Sequence, residues 1–309
     1  MPRRKRGKPV NGWLVLDKPY DMTSTQAVGA CRRLFDAQKA GHAGTLDPLA
    51  TGILAVAFGE ATKTVPFVMD GRKSYRFTAR WGVATTTDDA EGEAIATSDV
   101  RPSSEDIQAI LNRFVGEIEQ LPPKFSAIKV NGERAYDLAR DGEEVELKSR
   151  RVDIYDLRLV DTPDADHGVF EAETGKGAYI RSLVRDMGQA LGTCGHVSQL
   201  RRTAVGPFDE SQAKKLDLLE QMRDNPALMG ELSPVSTALD DIPACAVSGG
   251  DALKLQRGQA VVLTPAQAKT VRGEEKGFIP AVLAETRDGP QAICALDGLK
   301  LKPTRVFNL

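Results

Sequence analysis

The sequence predicts an α+β protein built around a central mixed, mainly antiparallel sheet that is flanked by helices. Strand patterns outnumber helix patterns along the 309 residues. Some neighbouring strands are joined by short turns, as in hairpins, whereas others are separated by amphipathic helices that return the chain to the sheet. The stretch beyond Pro243 holds only short strand patterns. It therefore predicts a small β-rich appendage.

The first part of the chain predicts three strands and a helix. Residues 13–16 are an apolar strand pattern. Thr23, with Gln26 three residues later, matches a capping box and predicts the start of a helix. Residues 53–58 form a continuous apolar run, which is typical of a strand buried on both faces. Residues 75–81 alternate between apolar and polar side chains and predict a half-buried strand.

The middle of the chain predicts two further helices and more strands. A helix is expected to begin at 102–104, with an apolar stripe formed by Ile107, Ile110, Leu111, Phe114, Val115 and Ile118. A strand over 125–130 then meets Asn131-Gly132, a favoured two-residue hairpin turn. Strands are predicted over 152–157 and 169–173. A helix from 180 to 191 is closed by Gly192.

Composition shifts divide the chain into three parts. Residues 1–10 form a basic tail, residues 11–243 the main domain, and residues 244–309 a small C-terminal domain. The boundary near Pro243 follows from a stretch rich in small and turn-forming residues.

The longest apolar run is far too short for a membrane helix, so we expect no membrane span. The four cysteines are scattered without metal-ligand spacing, and we expect free thiols, with Cys31 buried, in a reducing cytoplasm.

Charge is distributed unevenly along the chain. The formal net charge is only −2, but residues 1–80 hold 14 Lys and Arg against 6 Asp and Glu. Residues 81–180 hold 11 basic residues against 22 acidic ones. A positive segment of this kind attracts polyanions such as RNA. The alternative is that the basic tail only aids solubility.

The positive segment contains one carboxylate in an unusual setting, Asp47 within GHAGTLDPLATG at 41–52. Three glycines and a proline in this run favour a shaped loop over a helix. The buried strand that follows would anchor the loop, which is a common arrangement for catalytic groups. An Asp before Pro also often does no more than cap a turn, and the segment alone leaves both readings open.

Taken together, the motifs resemble those of the bacterial tRNA pseudouridine-55 synthases, the TruB family. The resemblance spans nearly the whole chain. It rests on GWLVLDKP at 12–19, the Asp47 loop, KSYR at 73–76, PPKFSAIK at 122–129, GAYIRSL at 177–183, and His196 together with LRR at 200–202. The segment from about residue 248 is similar to a shortened PUA-type RNA-binding domain.

The resemblance implies a pseudouridine-synthase fold and isomerisation of one uridine in the T-arm of tRNA, without metal or organic cofactor. It further implies that the protein acts without a protein partner, as a monomer. Asp47 would be the catalytic carboxylate, Tyr75 would stack on the target base and Arg181 would pair with Asp47. The resemblance also implies that Tyr179 and Leu200 line the pocket and that His42 and Lys18 contact substrate RNA.

Elementary chemistry fits these roles but leaves alternatives open. A carboxylate is reactive only while it is ionised, and a nearby guanidinium such as Arg181 would keep it charged; Arg181 could equally be a solvated helix residue. Tyr75 could be a base platform or an ordinary core aromatic. His42 is a rival general base. Asp47 could attack C1′, attack C6 or remove a proton. The alternative functions are a guide-RNA-dependent relative acting on ribosomal RNA and a non-catalytic RNA-binding protein.

Overall fold

The computed structural model describes residues 7–126, 147–273 and 277–309, and the backbone of 129–130 and 133–134. The strands are β1 (Gly12–Lys18), β2 (Ala40–His42), β3 (Thr51–Phe58), β4 (Lys73–Trp81), β5 (Val83–Thr85), β6 (Ala94–Thr97), β7 (Gly116–Gln120), β8 (Lys129–Val130), β9 (Glu133–Arg134), β10 (Arg150–Asp164), β11 (His167–Thr174), β12 (Gly195–Val205), β13 (Phe208–Asp209), β14 (Lys214–Lys215), β15 (Ala244–Ala246), β16 (Val261–Val262), β17 (Ile279–Thr286), β18 (Gly289–Asp297) and β19 (Lys300–Val306). The α-helices are α1 (Ser24–Leu34), α2 (Val65–Asp70), α3 (Ser104–Leu111), α4 (Ile180–Ala190), α5 (Leu216–Gln221), α6 (Gly249–Gln256) and α7 (Pro265–Arg272).

The large sheet has the strand order β14-β1-β3-β12-β4-β11-β10-β7, with β2 paired to β3 and β13 to β12. Most neighbours are antiparallel, and β1 with β14 and β3 with β12 are parallel pairs. The predicted mixed, mainly antiparallel sheet is therefore confirmed. Strand β4 alternates buried and outward residues along its length, as the period-two pattern predicts.

Both faces of the sheet centre are covered, which explains the unbroken apolar run in β3. One face packs against α1, α3 and α4 in a core that includes Leu14, Leu54 and Val184. The other face forms a second core around Trp13 and Ile53. Helix α1 begins at the predicted capping box, in which Thr23 and Gln26 satisfy each other's backbone N–H groups.

The C-terminal segment forms a separate five-stranded sheet with the order β15-β17-β18-β19-β16. It docks on the second core of the large sheet, where Phe307 is fully buried. Lys63 Nζ donates to Val306 O at 2.6 Å and fixes this contact. The predicted β-rich appendage is confirmed, and it also contains α6 and α7, which the sequence pattern did not predict. The boundary at residue 243 and the PUA likeness stay predictions.

Two expectations need correction. The helix begins at the Ser103 cap but ends at Leu111, so Val115 and Ile118 do not lie on it. A short 3₁₀ turn over Asn112–Phe114 follows, Val115 is already extended, and β7 starts at Gly116, which has a φ of +100°. Phe125 and Ser126 form a bend rather than the start of a strand. Strands β8 and β9 pair antiparallel, but the turn predicted at 131–132 lies outside the described residues.

None of the described helices is long and apolar enough to cross a membrane.

Candidate active site

Asp47 lies in the connection between β2 and β3, and the backbone around it needs glycine. Gly44 and Gly52 have φ values of +93° and +95°, a region that side chains rarely adopt. A Cβ on Gly52 would lie 2.2 Å from Arg202 O, so no larger residue fits there. The two glycines bracket a tight loop. This loop presents Asp47 just before β3, an interior strand of the large sheet.

Two buried side chains hold the Asp47 loop from the side of β1 and α1. Ser24 Oγ accepts from Leu46 N at 2.8 Å and donates to Leu46 O at 3.0 Å. The Nζ of Lys18 donates to Pro48 O at 3.2 Å and to the carbonyls of Pro19 and Met22 at 2.8 and 2.6 Å. The three ammonium protons thus have three backbone acceptors. Burial lowers the pKa of Lys18 to about 8, although Asp47 opposes the shift.

Arg202 holds the loop from the side of β12. Its Nε donates to Ile53 O at 2.8 Å and its Nη2 to Gly44 O at 3.1 Å, while Nη1 lies 3.5 Å from Thr45 O. The side chain is fully buried. The loop is therefore tied on both sides of Asp47 by cationic side chains that bind its backbone carbonyls.

Asp47 forms an ion pair with Arg181, the second residue of α4. Arg181 Nη2 lies 3.0 Å from Asp47 Oδ2, and Nη1 lies 3.2 Å from Asp89 Oδ2. The same two nitrogens donate to Phe125 O and Thr87 O at 2.8 and 3.0 Å. Only 5% of the Arg181 side chain is exposed. The alternative that Arg181 is a solvated helix charge is therefore wrong for this structure.

The electrostatic balance at Asp47 combines burial with a nearby cation. Burial raises the pKa of Asp47, Arg181 and Lys18 lower it, and Asp89 raises it. The carboxyl is recessed among protein groups, yet 33% of the Asp47 side chain remains accessible. Asp89, by contrast, is buried and accepts from the Glu91 N–H at 3.0 Å. Asp47 is thus the one carboxylate of this pair that a substrate could reach.

Comparison with known proteins decides the family. The model for the TruB family pseudouridylate synthase N-terminal domain matches residues 32–180, and that for the tRNA pseudouridylate synthase B C-terminal domain matches 181–240. The tRNA pseudouridine synthase B of Caulobacter vibrioides is 58% identical over 100% of both chains. The protein of the same name from Bradyrhizobium diazoefficiens is 56% identical over 98% of this chain and 91% of its own. This chain belongs to the TruB family.

The fold of this TruB-family enzyme is shared with more distant solved structures. A chain in the crystal structure of a Cbf5-Nop10-Gar1 complex has a TM-score of 0.73 at 24% identity, over 100% of this chain and 91% of that chain. A chain of the archaeal box H/ACA sRNP Nop10-Cbf5 complex has a TM-score of 0.71 at 22% identity, over 100% and 93%. The pseudouridine-synthase fold is confirmed. The protein is an isomerase of the pseudouridine synthase class.

In this TruB-family chain, the two predicted aromatic residues lie on different elements. Tyr75 lies on β4, directly opposite Arg202 on β12, and is largely buried. Tyr179 precedes α4 and is tied to Gln120, whose Oε1 accepts from the Tyr179 N–H at 2.8 Å. The Arg150 guanidinium lies 5.1 Å from the centroid of the Tyr179 ring. Both rings are therefore held in place by neighbouring strands.

The remaining predicted residues of the TruB-family site differ in their surroundings. Leu200 is buried in the first core, and its backbone pairs with Phe77. His42 lies on β2, opposite Val56, and is partly exposed. The ammonium group of Lys18 is surrounded by backbone carbonyls and has no free proton for a phosphate. We therefore assign Lys18 to the support of the loop rather than to the RNA contact expected from the sequence.

Several residues of the TruB-family site escaped sequence reasoning. Ser24 and Arg202 support the Asp47 loop and Gln120 supports Tyr179, but each looks like an ordinary polar residue in the sequence. Asp89 keeps a position that is characteristic of the family, but its contact with Arg181 was not predicted. Arg202 was visible only as part of the LRR motif. The described residues contain no group of three His, Cys, Asp or Glu that could hold a metal ion.

Proposed function

We propose that this protein converts uridine 55 in the T-arm of tRNA to pseudouridine, with Asp47 as the reacting carboxylate. The observation that carries the proposal is the placement of Asp47, a partly accessible carboxylate 3.0 Å from a buried guanidinium in a loop tied down on both sides. Curated relatives that are 47–58% identical over nearly the full chain are named tRNA pseudouridine synthase B, which supports tRNA as the substrate.

The reaction needs no net change in composition. The bond from ribose C1′ to uracil N1 breaks, the base rotates, and a bond from C1′ to C5 forms. The hydrogen on C5 leaves as a proton, and N1 gains one. The protein must therefore cleave a glycosidic bond, retain the free base and move one proton. A reactive, partly accessible carboxylate such as Asp47 can take part both in the cleavage and in the proton transfer.

Asp47 serves this chemistry only while it is ionised. Attack on C1′, attack on C6 and removal of a sugar proton all begin from the carboxylate. Burial opposes ionisation, and Arg181 favours it. Asp89 fixes Arg181 from the opposite side at 3.2 Å. We infer that Asp89 keeps the guanidinium aimed at Asp47 and leaves the Asp47 side chain open to the substrate.

The aromatic residues would hold the extruded base. A uridine stacked in an RNA loop cannot reach Asp47, so it must flip out at a cost of a few kcal/mol. Stacking on an aromatic ring returns about 1–3 kcal/mol per base. We assign this platform to Tyr75, because it lies beside Arg202 at the Asp47 loop. Tyr179 and Leu200 would line the pocket, and His42 would face the RNA near the vacated position.

The fold likeness raises a second candidate, a pseudouridine synthase that depends on a guide RNA. The chains of the Cbf5-Nop10-Gar1 and Nop10-Cbf5 complexes share the fold at 24% and 22% identity. The relatives above 45% identity carry the name tRNA pseudouridine synthase B, and this favours direct action on tRNA. A non-catalytic RNA-binding protein would have no use for a buried Arg181 that points at an accessible carboxylate.

One assay separates these functions. Purified protein is mixed with an unmodified tRNA transcript that carries tritium at C5 of its uridines, and tritium release is followed without any guide RNA. We expect release equal to one uridine per tRNA. A transcript with cytidine at position 55 should release none. Release from the cytidine-55 transcript would contradict uridine 55 as the modified position. No release from either transcript would contradict direct action on tRNA.

A further inference from the structure

Arg202 is a buried cation without a carboxylate partner. Only 1% of the residue is exposed, and no ion pair joins it to any carboxylate in the described parts of the chain. Burying a charge is costly unless other groups replace its water shell. Here the backbone carbonyls of Ile53 and Gly44 do so, at 2.8 and 3.1 Å. An unpaired buried charge of this kind calls for a reason beyond stability.

The location of Arg202 supplies that reason. Its backbone pairs with Tyr75 on one side and with Gly52 on the other. Arg202 thus lies between β4, which carries the proposed base platform Tyr75, and the segment that carries Asp47. Gly44 and Ile53, whose carbonyls it binds, flank Asp47 in the sequence. The guanidinium therefore fixes the path of the chain before and after Asp47.

We propose that Arg202 is a positioning residue for the reaction, which holds the Asp47 loop against Tyr75 and supplies positive potential that keeps Asp47 ionised. This inference rests on the proposed role of Asp47. It goes beyond that role, because Arg202 is almost wholly buried and acts through the loop that it binds. The electrostatic interactions of Arg202 with Tyr75 and Asp47 support the proposal, since both oppose the lowering of the Arg202 pKa by burial.

Several charged groups act on Asp47 together with Arg202. Arg181 reaches it from α4 and Lys18 from β1, and both favour the ionised carboxylate. Asp89 opposes ionisation, and Glu91 also interacts with Asp47. Removal of Arg202 thus leaves two cations near Asp47 but loosens the loop. The effect should be a higher pKa for Asp47 and a slower reaction, without loss of RNA binding.

The experiment compares Arg202→Met, Arg202→Lys and a matched control, Arg201→Met. Arg201 is the neighbouring residue on the other face of β12 and binds Asp17 and Glu210 instead of the loop. For each variant, the single-turnover rate of tritium release is measured against pH, with the dissociation constant for tRNA and the melting temperature.

For Arg202→Met we expect a rate loss on the order of a hundredfold, because small displacements of a catalytic group have effects of this size. The acidic limb of its pH–rate profile should move to higher pH, while its dissociation constant for tRNA stays within about twofold of the wild-type value. Arg202→Lys should keep the acidic limb near that of the wild type and recover part of the rate. An acidic limb that does not move in a folded Arg202→Met would overturn the proposal. So would a rate loss in Arg201→Met equal to that in Arg202→Met.

Amide hydrogen exchange gives a readout that does not depend on activity. The amide hydrogens of residues 43–50, which surround Asp47, should exchange faster in Arg202→Met than in the wild type. Their exchange should be unchanged in Arg201→Met. Equal exchange in all three proteins would overturn the proposal even if the enzyme has another substrate. If Arg202→Met does not fold, Arg202→Lys is tested in its place, and wild-type exchange and rate in that variant would contradict the need for a guanidinium. An inactive wild type would contradict the proposed function alone.

Discussion

Arg181 contacts Asp47 at 3.0 Å while it is almost wholly buried itself. The pair is unequal, because a third of the Asp47 side chain reaches solvent and only 5% of Arg181 does. The second buried carboxylate, Asp89, lies 3.2 Å from the other guanidinium nitrogen. One cation therefore pairs with two acids, and its loss would leave two carboxylates close together, with Lys18 and Arg202 as the cations that still act on Asp47.

Replacement of Arg181 should affect both rate and stability. In Arg181→Met, loss of the cation should raise the pKa of Asp47 further, so that the acidic limb of activity moves to higher pH. The free energy of unfolding should fall by about 2–3 kcal/mol, which is less than for a wholly buried pair because Asp47 is partly solvated. Denaturant unfolding and the pH profile of the single-turnover rate measure the two effects. An unshifted acidic limb would contradict the assigned role of Arg181.

Substitutions of Tyr75 separate stacking from hydroxyl chemistry. Tyr75→Phe should bind tRNA as the wild type does, because the ring is retained, but should lose any proton transfer through the hydroxyl. Tyr75→Leu should weaken binding by about 1–3 kcal/mol as stacking is lost, and should also slow the reaction. Dissociation constants and single-turnover rates are measured for both. Wild-type behaviour of both variants would show that the ring has no role in the pocket.

Lys18 gives a prediction on the alkaline side. Its pKa of about 8 means that the ammonium group loses a proton as pH rises through 8, and with it one of its bonds to the carbonyls of Pro19, Met22 and Pro48. Activity should therefore fall with an apparent pKa near 8. Lys18→Met should be slower at neutral pH and should lack this alkaline limb. An identical alkaline limb in the variant would mean that another group is responsible.

The basic tail is tested by the dependence of binding on salt. Lys8 N donates to Asp36 O, so a truncation should stop at residue 6 to preserve this contact. It removes Arg3, Arg4, Lys5 and Arg6. The slope of log affinity against log salt should decrease by about 0.7–0.9 for each of these cations that contacts phosphate. Turnover at saturating tRNA should not change. An unchanged slope would limit the tail to solubility and direct attention to exposed cations such as Arg33 and Lys39.

Local patterns predicted most elements of the fold, because their signals lie within a few residues of one another. The capping box at Thr23, the apolar run of β3 and the alternation of β4 each reflect one periodicity and one burial pattern. The stripe from Ile107 to Ile118 misled because its spacing fits a helix, whereas the chain leaves the helix after Leu111 and is extended from Val115. Hydrophobic spacing alone does not report where the backbone leaves the helical region.

The candidate site was only partly predictable, because several of its residues act through contacts between distant parts of the chain. Asp47 stood out because its loop is rich in glycine, and the family resemblance supplied Tyr75 and Arg181. Asp89 and Arg202 act through contacts between segments that are far apart in the chain. Lys18 was expected at the RNA, and its burial became apparent only once β1 was placed beside the loop. Long-range packing of this kind leaves no local signal.

The activity of Asp47→Asn on the unmodified tRNA transcript decides whether Asp47 is the reacting carboxylate. The amide has nearly the same shape but can act neither as nucleophile nor as base. Because burial raises the pKa of Asp47, ionisation at neutral pH favours the unfolded chain, and the uncharged variant should melt at the same or a higher temperature. We expect intact tRNA binding and a loss of tritium release of at least about a thousandfold. Near-normal turnover by a well-folded Asp47→Asn protein would show that Asp47 is not the reacting carboxylate.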